Sequence, residues 1–336
     1  MLTRSDFPQA LSATLDVSFK EGLEAKSDAA YRSIILVEPT TSDAKQIVFY
    51  GDKGRLRRFR GERQSQNFSE YKMTATTDEW EMTYNVKRTV LDDDQTGGLL
   101  RRKITNFGNA VQTSLEAETW EFLHRGSSMK GFDGANLFDF NHRYVDTAGV
   151  TTSTVAAQAN MHLGGSQVDA TTIQLLEQHF ADLKSDKNKP LGMRLTHVAV
   201  KRGSLNSKSA RELLNSQYTV ETTSFKENIF RGSFNLIEFD YGFGTTEWLG
   251  MDLSDSEMRP IIVLSHSITP GFENMEYTQQ LQDSYTGYMR NEFSFGIYGR
   301  FDYNPGDWRT AYLFGSSGYA FVAEDSDSQR LPSQAN

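Results

Sequence analysis

The chain has 336 residues, 38% of them hydrophobic and 24% charged, with a net charge of −9. That length calls for one large domain or two lobes, and the acid excess excludes a protein that coats nucleic acid over its whole surface, leaving room only for local basic patches. The chain has no cysteine, which excludes disulfides, zinc–thiolate sites and thiol nucleophiles.

Aromatic residues make up 12%, with 22 Phe and 14 Tyr, a balance that suits β-rich structure and broad contact surfaces. The longest apolar runs, such as IIVL at 261–264, fall far short of a membrane span. The opening MLTRSDFPQAL lacks the charged-then-apolar layout of a signal peptide, so synthesis in the cytoplasm is expected.

Residues 1–46 read as an arm. Leu11, Leu15, Phe19 and Leu23 recur every fourth position, a single helical stripe that starts near Ser5 or Asp6 with Pro8 in its first turn. So narrow a stripe needs a partner, which other chains could supply. SIILVEP, ending at Pro39, is extended. Residues 47–79 are punctuated by glycine and strongly basic in the middle, and read as a long two-stranded excursion.

WEMTYNVKRTVL alternates, with Trp80, Met82, Tyr84, Val86 and Val90 on one face, and predicts a half-buried strand. From Thr96 to His124 the stripe Leu100, Ile104, Phe107, Val111, Leu115 and Phe122 predicts a helix about 40 Å long, the spine of a domain, ended by Gly126. Residues 126–166 are loop-rich. Asp169 is placed to cap a second helix carrying Ile173, Leu176, Phe180 and Leu183. RLTHVAVKRGS predicts a strand and SKSARELLNSQ a short helix. The segments around 230–252, 259–281 and 285–315 read as strands, and the acidic then polar tail 323–336 as flexible.

Four features could carry chemistry. Asp92, Asp93 and Asp94 are contiguous, so their side chains splay apart. They lack the alternate spacing of a calcium loop, and one local run cannot build a two-metal site. They fit a strand-to-helix junction, where carboxylates favour the helix N-terminus. The run Lys53, Arg55, Arg57, Arg58, Arg60 and Arg63, with Phe59 among them, suits an inter-subunit salt-bridge tab, a solvated loop or a phosphate-binding patch. FDGANLFDFNHR contains Asp133, Asp139, Asn141 and His142, of which Asp139 and His142 have ligand-like spacing, against the plainer reading of a turn network. The other histidines, 124, 162, 179, 197 and 266, are scattered and form no HExxH pair. No nucleophile elbow, Walker loop or GxGxxG is present, and GSSGYA at 315–320 reads as a turn. No catalytic residue, metal ligand or cofactor is expected.

Four stretches, 54–98, 132–142, 194–216 and 298–315, together resemble the Mu-like phage major head subunit family. Arg58, Phe59, Arg60, Gly61, Glu62 and Arg63 are similar to that family's R-x-W-x-G-x-R tip, with Phe59 in place of tryptophan. Leu91 to Gln95 and Gly97 follow a strand as in its D-x-x-D-D-Q-x-G. Phe132, Asp133, Gly134, Leu137, Phe138, Asp139 and His142 resemble its Y-D-G-x-x-F-F-D-x-x-H. Tyr298, Gly299, Gly306, Trp308, Ala311 and Tyr312 stand where its Y-G-x-x-A-R-x-x-x-G-x-W-x-x-A-Y has counterparts. RLTHVAVKRGSLNSKSARELLNS is also similar to its strand-then-helix. The resemblance runs in order over about residues 45–320.

That resemblance implies an α+β, Hong Kong 97-like capsid fold. It implies an arm over 1–46, an extended loop over 47–79, a peripheral domain over 80–167 with spine helix 96–124, an axial domain over 168–265 and a return to the peripheral domain over 266–322. It further implies a non-enzymatic major capsid protein of a tailed phage or phage-like particle, found in the virion and assembled in the host cytoplasm. Pentamers and hexamers would form an icosahedral shell that touches its double-stranded DNA weakly and without sequence specificity. The extended-loop residues 53–63 named above become an inter-subunit interface, and Asp92–Asp94 the junction to the spine helix. Because no large scaffolding region precedes the arm, a separate scaffolding protein and portal are expected, with decoration proteins as optional additions. An encapsulin-like compartment with a protein cargo, and a metal-dependent hydrolase using Asp133, Asp139 and His142, are the rival readings.

Overall fold

The computed structural model describes residues 17–24, 30–52, 54, 58, 59, 61, 69–87, 98–144, 155–221, 224–266, 276–280 and 292–315. The start of the predicted arm helix with Leu11 and Leu15, the aspartates at 92–94 and the tail 323–336 lie outside these residues.

Two five-stranded sheets form the frame. The first holds β1 (Ile35–Pro39), β11 (Ile261–Ser265), β13 (Glu292–Pro305) and β12 (Glu276–Gln280) in that order, with β4 (Asp78–Lys87) also paired to β13. β1 runs parallel to β11, and β13 is antiparallel to β4, β11 and β12. The second has the order β5 (Met161–Leu163), β14 (Ala311–Gly315), β10 (Trp248–Met251), β6 (His197–Lys201), β9 (Asn235–Phe239). Hairpins β2 (Ala44–Tyr50)/β3 (Glu70–Thr76) and β7 (Tyr218–Glu221)/β8 (Ser224–Glu227) complete the strands.

Sequence texture explains the central strands. β11 reads IIVLS and β10 reads WLGM, and every residue of both is buried. A continuous apolar run suits a strand covered on both faces. β4 alternates as predicted: Trp80, Met82 and Tyr84 are half-buried, while Glu79, Glu81, Thr83 and Asn85 face out. In the second sheet Trp248 lies directly across from Phe314, and their rings stack at 4.0 Å.

Helix α1 spans residues 17–24, α2 Gly98–His124, α3 Ala170–Asp182 and α4 Leu205–Asn215. α2 joins the two sheets. Phe107 contacts Tyr84 of β4, Phe122 contacts Tyr303 of β13, and Trp120 contacts Phe239 of β9, at ring separations of 6.3, 5.8 and 4.6 Å. Of its predicted stripe, Ile104, Phe107, Val111, Leu115 and Phe122 are all buried. Gly126, expected to end this helix, lies just past it in the 3₁₀ turn Arg125–Ser127 without a positive φ, and a Cβ there would stand 2.8 Å from the Phe138 ring. Close packing, not backbone handedness, requires the glycine.

α3 starts where predicted, with Asp169 accepting from the Thr172 amide at 2.7 Å and the Thr172 hydroxyl accepting in return from the Asp169 amide. Its Leu176 fills the space above Gly250, whose added Cβ would lie 2.1 Å from the Leu176 side chain. Ser204 caps α4.

Hydrogen bonding crosses the chain divisions expected from the sequence. β11, at the end of 168–265, pairs with β1 from the 1–46 stretch, and β14, from 266–322, lies inside the second sheet. Local pattern marks a strand but does not name its partner. The arm also finds a partner within its own chain, since Phe19 and Leu23 are buried and Phe19 packs on Phe107 of α2 at 5.7 Å.

Candidate functional site

The β2–β3 hairpin carries the basic run beyond its end. One face, with Ile47, Phe49, Tyr71 and Ala75, is buried, while Val48, Tyr50, Lys72 and Thr74 are exposed on the other. The buried face rests on the turn 130–136: Phe49 stacks on Phe132 at 4.5 Å, and Tyr71 lies 6.0 Å from the same ring.

Polar contacts fix the hairpin at both ends of its ladder. Asn304 of β13 behaves like an extra peptide group, accepting from the Thr76 amide and donating to the Thr76 carbonyl, both at 3.1 Å. Arg309 donates to the Tyr50 carbonyl at 3.0 Å and lies over the Phe132 ring. Asp52, almost fully buried, faces Lys187 and Lys189 at 3.6 Å each. Arg300 pairs with Asp43. Arg309 is itself buried and held by both carboxylate oxygens of Asp307. Burial works against its charge, but the adjacent Asp307 carboxylate outweighs it and holds the guanidinium more firmly protonated than usual.

Of the predicted interface residues, Arg58 and Phe59 are described and exposed, Phe59 at 68%. Lys53, Arg55, Arg57, Arg60 and Arg63 lie outside the described residues, as do Asp92, Asp93 and Asp94.

Asp133 and His142 do meet. His142 Nδ1 lies 2.7 Å from Asp133 Oδ2, its Nε2 is 3.0 Å from Asn160 Oδ1, and its ring stacks on Trp308 at 4.1 Å. Both members of the pair are buried. Asp139 does not join them, because its carboxylate accepts from the Asn141 amide at 3.0 Å in a tight turn. The described residues contain no group of three or more His, Asp or Glu placed to hold a metal. The arrangement does the work of a polar core, tying residues 133, 142, 160 and 308 together.

Sequence reasoning did not find Asn160, Asn304 or Arg309 as anchors. Asn304 and Asp307–Arg309 sit beside the tryptophan of a quoted motif, but their partners are more than 200 residues away or across the core, and spacing cannot show that.

No curated protein matches the chain. Among solved structures, the procapsid of bacteriophage JBD30 aligns over 93% of this chain and 75% of that one, with 17% identity and a TM-score of 0.52. The capsid of the cyanophage P-SCSP1u aligns over 86% of this chain and 88% of that one, with 8% identity and a TM-score of 0.50. These likenesses show the fold, which is the Hong Kong 97-like phage capsid fold. No helix among the described residues is long and apolar enough to cross a membrane. The sequence profile described as Mu-like prophage major head subunit gpT matches residues 9–168, from the arm through the spine helix to the Asp133–His142 loop. That stretch, just under half of the chain, is similar to the Mu-like prophage major head subunit gpT family, and together with the fold it marks the chain as a phage major capsid protein, a structural component of the virion head.

Proposed function

We propose that many copies of this chain build an icosahedral shell around double-stranded DNA, with the β2–β3 hairpin and its basic end as a principal contact between neighbours. The observation that carries this is the contrast within the hairpin. Its base is tied down by Asn304, Arg309 and Asp52, while Arg58 and Phe59 beyond it stand exposed. Anchoring a projecting segment fixes its direction and lowers the ordering cost of a contact made at its end. An exposed Arg beside an exposed aromatic is the composition of an interface centre, and 44 acidic residues offer partners on other copies.

In this reading Lys53, Arg55, Arg57, Arg60 and Arg63 extend the same interface, and Asp92–Asp94 sit at the entry to the spine helix. The first sheet with α2 forms the peripheral unit, and the second sheet with α3 and α4 forms the core of the axial unit. Cohesion is non-covalent, consistent with the absence of cysteine. A separate scaffolding protein and portal set the size and closure of the shell, packaged DNA touches the acidic wall weakly, and the chain has no catalytic role.

The test is electron microscopy of the chain assembled with its scaffolding protein and portal, comparing the parent with Arg58→Glu/Arg60→Glu. Closed shells are expected from the parent, and a folded but unassembled protein from the variant. Normal shells from the variant would remove the interface assignment. A parent that stays monomeric under these conditions would overturn the shell assignment itself.

A further inference from the structure

The hydrogen bonds around His142 fix how many protons it carries. Asn160 Nδ2 donates to the Leu137 carbonyl at 2.7 Å and to the Trp308 carbonyl at 3.1 Å. That leaves its Oδ1 as an acceptor, which it is for the Asp139 amide at 2.9 Å. Flipping the amide would set its oxygen against two carbonyls and its NH₂ against a donor, so the orientation is forced. His142 Nε2, 3.0 Å from that oxygen, must therefore donate.

The other ring nitrogen lies 2.7 Å from Asp133 Oδ2, too close for two facing lone pairs. A proton lies between them. Imidazole nitrogen is intrinsically a stronger base than a carboxylate oxygen, so the proton belongs on Nδ1. Asp133 Oδ1 accepts from the Ala135 amide at 3.2 Å, which suits a carboxylate. The flat stack on Trp308 covers the ring with an aromatic face that favours a cation.

The neighbouring charges are already engaged. Asp139 accepts from the Asn141 amide and Arg143 donates to the Asn141 side chain on the same loop. Beside Trp308, Arg309 and Asp307 hold one another. Asp133 is thus the carboxylate left for the ring. It also sits next to Phe132, the platform under Phe49 and Tyr71 of the hairpin.

We propose that His142 is kept as a buried imidazolium bonded to Asp133, and that this shared proton latches the turn carrying Phe132 beneath the β2–β3 hairpin. The inference is independent of how copies of the chain assemble.

Nitrogen–proton correlation spectra of the unassembled full chain, labelled at histidine, test the proton count. At neutral pH, His142 should give two ring N–H signals, assigned by their loss in His142→Gln, and Asp133→Asn should retain one. A single ring N–H in the parent overturns the imidazolium, and through-bond assignment of His142 in the parent keeps this readout if the variant fails to fold. Amide hydrogen exchange tests the latch. Residues 44–50 and 70–76 should exchange on the order of tenfold faster in Asp133→Asn. Unchanged exchange there would overturn the link between the pair and the hairpin.

Discussion

Gly22 of α1 and Gly108 of α2 bring two helices together backbone to backbone. A Cβ at Gly22 would lie 2.1 Å from the Thr105 carbonyl oxygen, and one at Gly108 would lie 2.5 Å from that of Phe19. Neither obstacle is a flexible side chain that could move aside. The Arg101–Glu21 pair at 2.9 Å borders the crossing, but both side chains are half-exposed, so it adds little. The close approach lets Phe19 and Leu23 bury their side chains against the spine helix.

Gly108→Val should therefore detach α1 from the spine. The expected cost is on the order of 2 kcal/mol, read as a lower urea midpoint. Faster amide exchange across residues 17–24 should accompany it. Full protection of that segment in the variant would show that the crossing does not depend on the glycine.

Arg309 ties the hairpin to a buried ion pair. Arg309→Met removes its bond to Tyr50 and leaves the buried Asp307 carboxylate without its cation. Breaking one side of a buried pair costs about 3–5 kcal/mol. Adding Asp307→Leu should recover part of this, because the stranded charge is then gone. Chemical denaturation of the single and double variants checks the order. A double variant less stable than Arg309→Met alone would show that the stranded carboxylate is not the main loss.

Acid should weaken the fold through His179. Burial against Phe180 and Tyr312 pushes its imidazole down to about 4, against 6.5 when unfolded. Burial also lowers His124 and His197, so they act in the same direction. With the folded value depressed, the unfolded chain takes up the proton first. Stability is then greatest above pH 6.5 and falls as the pH drops towards 4, by on the order of 3 kcal/mol for His179. His179→Phe should flatten the pH dependence of unfolding across that window, and an unchanged slope would count against the assignment.

The local elements were legible in the residues alone. The stripe Ile104, Phe107, Val111, Leu115 and Phe122 marked the spine helix, Asp169 its neighbour's cap, and the alternation after Trp80 a strand, because helical and extended periods are properties of neighbouring residues. Spacing in the sequence paired Asp139 with His142, whereas in the fold His142 meets Asp133, with Asn160 and Trp308 around them. Folding alone reveals which strands pair, that β11 joins β1 and β14 joins β10, that Gly22 faces the spine helix near Gly108, and that Asn304 and Arg309 hold the hairpin. Those contacts link positions far apart in the chain, and their energy comes from burial and close approach, which no local spacing encodes.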